Sequence, residues 1–292
     1  MPTSSDADVP GRSASAALEA GDTPAAGLAG YRTALEDSFV LQDPRSWASL
    51  GFRHDLPAQA PRRPARVPGR FPRDHPGRRP CRPVPWCGNW TVEDLVVHLA
   101  RVHHWAAAHA RRVPEAPLGE GPFDLVALYT ECAAELRATL AELVPEARAW
   151  TLLDDGAPPA EQVGTVRFWH RRQMLETLVH TWDLRTASGL DFDPGPAAWL
   201  DCLDEVVTVM HPRQVRLGRT QPPATRVRFD PDEGGSVRLL GAPPDAPEIS
   251  IGGPARSLAL LAWGRTSPDD ATLTVAGDRA DLKELLAAGL TP

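Results

Sequence analysis

Residues 86–112, WCGNWTVEDLVVHLARVHHWAAAHARR, open the ordered part of the chain, and their reading decides the fold. Thr91 followed three residues later by Asp94 is close to a capping box, in which each residue satisfies a backbone N–H left orphaned by the first helical turn. Val92, Leu95, Val96, Leu99 and Val102 then recur at helical spacing, so a helix starts at Thr91. His98 shares the inward face of Leu95, Leu99 and Val102, whereas Arg101 and His104 look outward.

Downstream, apolar periodicity predicts a helix over about 123–143, closed by Pro145, and another over about 160–187 with Gly189 as its C′ residue. A shorter helix over 196–210 is expected to stop before His211-Pro212. After Gly218 the period changes. RVRFDPDEGGSVRLL (226–240) alternates about a turn at 230–235, which is a hairpin pattern, and EISIGG (248–253) supplies another strand. A helix over 255–263, a strand over 272–275 and a last helix over 278–288, with Asp278 as N-cap and Gly289 as C′, complete the pattern. Helices first and mixed elements afterwards give an α+β chain. The expected domains are a helical bundle over 23–216 and a small α+β domain over 217–292. Upstream, 26–42 has a weaker helical pattern that ends at Asp43-Pro44, and 1–22 has the composition of a disordered tail.

The net charge of −7 argues against a surface built to neutralise phosphates. Nine Arg and two Asp between Arg53 and Pro83 make that segment +7 and leave −14 for the rest. The stretch has a single aromatic residue, Phe71, too few for a single-strand stacking platform, so nucleic acid is not an expected partner. Prolines every three or four residues exclude a helix or central strand there. Residues 43–83 read either as a disordered insertion or as a frameshifted version of the end of the first helix. No apolar run reaches the ~20 residues needed to span a bilayer, and the N-terminus lacks the pattern of a secretory signal, so the expected compartment is the cytoplasm. Cys81, Cys87, Cys132 and Cys202 form no C-x-x-C pair and read as free thiols.

Glu176 and His180 lie about 40° apart on one helical face, a spacing that lets a carboxylate and an imidazole reach one cation. Trp169, Gln173 and Asp183 share their stripe. If the helices carrying them and His98 are neighbours, two imidazoles and one carboxylate form a three-ligand metal site with open positions; the alternative is a pair of hydrogen-bonded core histidines. His103, on the edge of the inner face, is the substitute ligand. His170 is expected at the surface or boundary, and His54, His75 and His211 in or beside proline-rich loops.

Taken together, WTVEDLVVHLARVHHW (90–105), FWHRRQMLETLVHTWDL (168–184), LALLAWGR (258–265) and AGDRADL (276–282) resemble the maleylpyruvate isomerase family of mycothiol-dependent enzymes. The resemblance covers about 84–292, with a weak match at 26–40. It implies a DinB-like four-helix bundle followed by a domain reminiscent of sterol carrier proteins, and a divalent metal, zinc by preference, on His98, Glu176 and His180. It also implies mycothiol as thiol cosubstrate, with Arg265, and Arg279 behind it, as the catalytic arginines. In such a reaction a thiolate adds to the cis double bond of a 2-oxo diacid, the resulting single bond rotates, and expulsion of the thiolate leaves the trans isomer. Thiol transfer to another electrophile, a metal-water hydrolase on the same bundle and a non-enzymatic lipid- or small-molecule-binding protein are the competing readings. Asp183, one turn beyond His180, is placed to orient it.

Overall fold

The computed structural model describes residues 82–292. The tail at 1–22, the helix expected over 26–42 and the Arg/Pro segment up to Cys81 lie outside the described residues.

α1 (Val92–Arg111) starts where the capping residues place it. The Thr91 side chain accepts from the Asp94 N–H, Asp94 accepts from the Thr91 N–H, and the helix ends at Arg112 in the left-handed conformation. Just upstream, Val84 donates to the Trp90 carbonyl and Cys87 to the Val84 carbonyl. This tight loop delivers Trp86, Cys87 and Trp90 beside α1. α2 (Leu125–Glu142) is capped by Asp124, whose carboxylate accepts from Val126 and Ala127. It packs along α1 through Leu95, Leu99, Tyr129 and Ala133.

α3 (Val166–Ala187) begins later than the apolar periodicity predicts. The Asp154 carboxylate accepts from Val163, Gly164 and the Thr151 hydroxyl, which pins residues 163–164 as a turn before the helix can start. Glycine is required at 164 because a Cβ there would collide with Asp154 and Thr151. From Trp169 to Leu184 every side chain of α3 is buried, so the helix runs through the middle of the molecule and has no solvent face. His170, expected at the boundary, is therefore enclosed.

The stop expected before His211-Pro212 does not occur. α4 (Pro196–Glu205) passes into a π turn (Val206–Met210), in which the His211 N–H bonds the Val206 carbonyl, and then into α5 (His211–Arg216). Pro212 has no N–H and clashes with a regular helical turn before it; the wider turn makes it an initiating residue of α5, where the missing donor costs little. His211 is consequently buried in a helix, not set in a loop.

β1 (Arg226–Pro231) and β2 (Val237–Arg238) form the expected hairpin, with Phe229 opposite Val237. β3 (Glu248–Gly253) lies parallel to β1, and β4 (Thr274–Ala276) antiparallel to β3, giving the order β2-β1-β3-β4. α6 (Ala255–Ala262) and α7 (Arg279–Ala287) complete the chain; Asp278 caps α7 as expected. Val227, Phe229, Ile249 and Ile251 alternate inward from β1 and β3. They share one core with Leu258 and Leu261 of α6, Trp199 and Leu203 of α4, and Leu175 and Val179 of α3. Each such side chain contributes about 1.5–3 kcal/mol by leaving water. The architecture is α+β as read from the sequence. α4, read with the bundle, shares this core with the sheet because Trp199 and Leu203 face α6. Among the described residues no helix is long and apolar enough to cross a membrane.

Candidate metal centre

His98 on α1 meets Glu176 and His180 on α3. The Glu176 Oε1 atom lies 3.3 Å from His98 Nε2 and 3.3 Å from His180 Nε2. The two imidazole rings stand edge to face with centroids 5.0 Å apart. One ligand atom from each of the three residues falls within 4.8 Å of the other two, a separation that one cation can bridge. Glu176 and His180 are buried, while the His98 side chain keeps 33% exposure. The cluster thus opens on one side, where His98 borders a cavity of about 500 Å³ ringed by Trp90, Trp105 and Trp263.

The surrounding charges hold this cluster in place. Arg172, one turn before Glu176, donates one amino group to the second Glu176 oxygen and the other to Glu205 Oε2 at 2.6 Å. Burial raises the Glu176 pKa, but Arg172 first and then His180 outweigh it, and the carboxyl stays well below its usual value. Burial also lowers the His180 pKa, yet Glu176 and Asp183 overcome it and raise the imidazole to about 9. Burial pushes Glu205 up to about 7 against the pull of Arg172 and Arg171. Asp183 Oδ2 accepts from His180 Nδ1 at 3.0 Å, which orients the ring and leaves Nε2 facing the cluster.

Arg265 enters from the loop after α6. Its Nε and Nη2 lie on the two Asp183 oxygens at 3.1 and 2.9 Å, and its Nη1 donates to the Trp263 carbonyl. Cys87 sits beside this pair, 3.5 Å from Asp183 Oδ2 and 3.4 Å from Arg265 Nη2. Burial and then Asp183 push its thiol up to about 12. Arg279 is elsewhere: its side chain is half exposed and bonds Asp269 and the Pro268 carbonyl. His103 is not part of the cluster, because Gln173 and Tyr129 occupy its two ring nitrogens. His104, expected to look outward, bonds Glu135 of α2 and the Ala116 carbonyl.

Arg172, Glu205, Cys87 and Trp263 escaped the sequence reading. Arg172 had a usable signal, since it precedes Glu176 by four residues on the same stripe. Cys87 and Trp263 had none, because each reaches the cavity from a loop.

Residues 70–185 match the family model described as the mycothiol maleylpyruvate isomerase N-terminal domain, and residues 198–284 match its C-terminal domain. No curated protein matches the chain. Two crystal structures are similar to it, a mycothiol-dependent maleylpyruvate isomerase and a histidine-to-alanine mutant of that enzyme. The mutant has a TM-score of 0.54 at 12% identity, and the match covers 88% of this chain and 94% of that one. The other has 0.53 at 13%, with the same coverage. With both domain models matched in order over most of its length, the chain belongs to the mycothiol maleylpyruvate isomerase family, a family of enzymes.

Proposed function

We propose that the protein is a metal-dependent enzyme that uses a low-molecular-weight thiol, mycothiol by its family, on an anionic electrophile. The reaction is cis-trans isomerisation of a maleylpyruvate-like 2-oxo diacid or transfer of the thiol. The observation that carries this reading is the convergence of His98, Glu176 and His180 on one point at the edge of a cavity. Two imidazoles and a carboxylate are a donor set suited to zinc. The Nδ1 of His180 is held by a carboxylate, as metal-binding histidines usually are. When bound, such an ion supplies the Lewis acidity that keeps a thiol ionised at neutral pH.

The chain's own residues do the rest. Arg172 keeps Glu176 ionised and fixes its direction. Asp183 orients His180 and anchors Arg265, so that positive charge stands beside the cavity where negative charge develops on the substrate. Trp90, Trp105 and Trp263 line the cavity with aromatic surface beside these charges. We assign the reaction to the cytoplasm.

Metal analysis combined with a thiol-dependence assay tests the proposal. Purified protein is expected to hold about one equivalent of divalent metal, lost in His98→Ala, and to turn over electrophiles only when a thiol is present. A folded wild-type protein that stays metal-free after supplementation would refute it. Turnover without any thiol would make the protein a hydrolase instead.

A further inference from the structure

We infer that Arg213 anchors a carboxylate of the electrophilic substrate. This rests on the anionic substrate proposed above. Among the described residues, three arginines line the cavity: Arg172, Arg213 and Arg265. A guanidinium binds a carboxylate most strongly through two parallel N–H groups, so what each arginine can still bind follows from the donors it has left. Arg172 has given its two terminal amino groups to Glu176 and Glu205. Arg265 has laid its fork along Asp183 and given Nη1 to a carbonyl. A substrate could take that fork only by displacing Asp183, a completely buried carboxylate that also orients His180. Stranding a charge there costs several kcal/mol.

Arg213 is in a different position. Its Nε donates to Asp155 Oδ2 at 2.6 Å, and among the described residues its two terminal amino groups have no partner. Its side chain retains 15% exposure, and its counter-carboxylate 35%. It stands beside the apolar Leu152 and Met210 in the cavity wall, where a charge that has lost much of its water gains from a bidentate anion. Nor is Arg213 needed to tie down the loop that carries Asp155. Arg216, one turn on, already donates to the Asp155 and Leu152 carbonyls at 2.7 and 2.8 Å. One end of the cavity therefore carries the candidate metal ligands with charges matched among themselves. Arg213 adds a guanidinium with donors to spare.

Maleate, a cis dianion, is a suitable probe. It would be titrated calorimetrically into the full chain, with and without added zinc, with dimethyl maleate as its uncharged counterpart. Arg213→Gln should weaken maleate binding about tenfold or more while leaving the diester unchanged. Arg213→Lys, which keeps the charge but loses the fork, should restore part of the loss. Asp155→Asn removes the competing carboxylate and should leave maleate binding equal or tighter, whereas a purely structural bridge would make it as damaging as Arg213→Gln. The inference is overturned if Arg213→Gln binds maleate like the wild type, if the wild type binds no maleate, or if Arg213→Gln and Asp155→Asn lose both probes alike. Failure of the proposed function looks different: maleate would still be held through Arg213 in a protein that carries no metal or is inactive with every thiol.

Discussion

His98 and His103 stand on the same helix, both face α3, and have opposite surroundings. His103 is 2% exposed, and its two nitrogens are taken by Gln173 at 2.8 Å and Tyr129 at 3.4 Å. Burial depresses its pKa to about 4, so it is a neutral core residue with its hydrogen bonds filled. One turn and a half earlier, His98 faces a carboxylate and a second imidazole and borders a cavity. The two differ in what α3 presents. Gln173 offers a neutral amide that satisfies one nitrogen, whereas Glu176 offers a charge already clamped by Arg172 and shared with His180. A histidine reads as a ligand when a ring nitrogen converges with other metal-binding atoms beside a cavity, and as structure when neutral partners fill both nitrogens.

The sharpest way to break this comparison is Glu176→Gln, which would make the His98 end resemble the His103 end. Metal content should fall from about one equivalent to near zero, because an amide is a far poorer ligand than a carboxylate. Arg172 would keep only Glu205 as a carboxylate partner, and removing one member of a buried ion pair should destabilise the fold by about 3 kcal/mol. A metal-replete Glu176→Gln protein would show that the two ends are chemically alike. Asp183→Asn is expected to do less. It leaves all three candidate ligands in place but weakens the acceptor that orients His180 and halves the fork partner of Arg265. Metal affinity should drop by about 10–100-fold, as measured by competition with a chelator.

The two ends were unequally legible in the sequence. His98, Glu176 and His180 were found because each lies on a regular helix, where a period of 3.6 residues fixes direction, and because the Thr91 capping box fixes the register of α1. The hairpin at β1–β2 and the Asp278 cap were readable for the same local reason. What failed depends on contacts that no period encodes. The sequence pattern puts His170 at a boundary because its periodicity leaves α3 an outer face, which the surrounding elements cover. Pro212 marked a helix end by propensity, and the π turn before it removed the clash on which that rule depends. Arg213 was invisible because its significance lies in its spare donors, a property of its neighbours.

The smallest expected effect separates the two histidines without touching the metal. His103→Leu leaves Gln173 and Tyr129 each short of a hydrogen bond and should lower stability by about 1–3 kcal/mol while leaving metal content unchanged. Metal loss in this variant would mean that His103 belongs to the site after all. The difference should also depend on pH. His103 is held near 4 in the folded protein, against an ordinary value of 6.5. Between those values the unfolded chain binds the proton and the folded one does not, so the stability contributed by a neutral His103 is complete above about pH 6.5 and is lost as the pH falls toward 4. His104, next along the chain, has the opposite sign: Glu135 and the Ala116 carbonyl outweigh burial and raise its pKa, so its contribution is present in acid and fades as the pH rises past that raised value. His104 is common to both proteins and cancels in the comparison. With metal stripped from both, the gap in melting temperature between wild type and His103→Leu should narrow from about pH 7 to about pH 5. A gap that stayed constant would show that His103 titrates alike in the folded and unfolded chains, and with it that the neutral, satisfied end of the comparison had been misread.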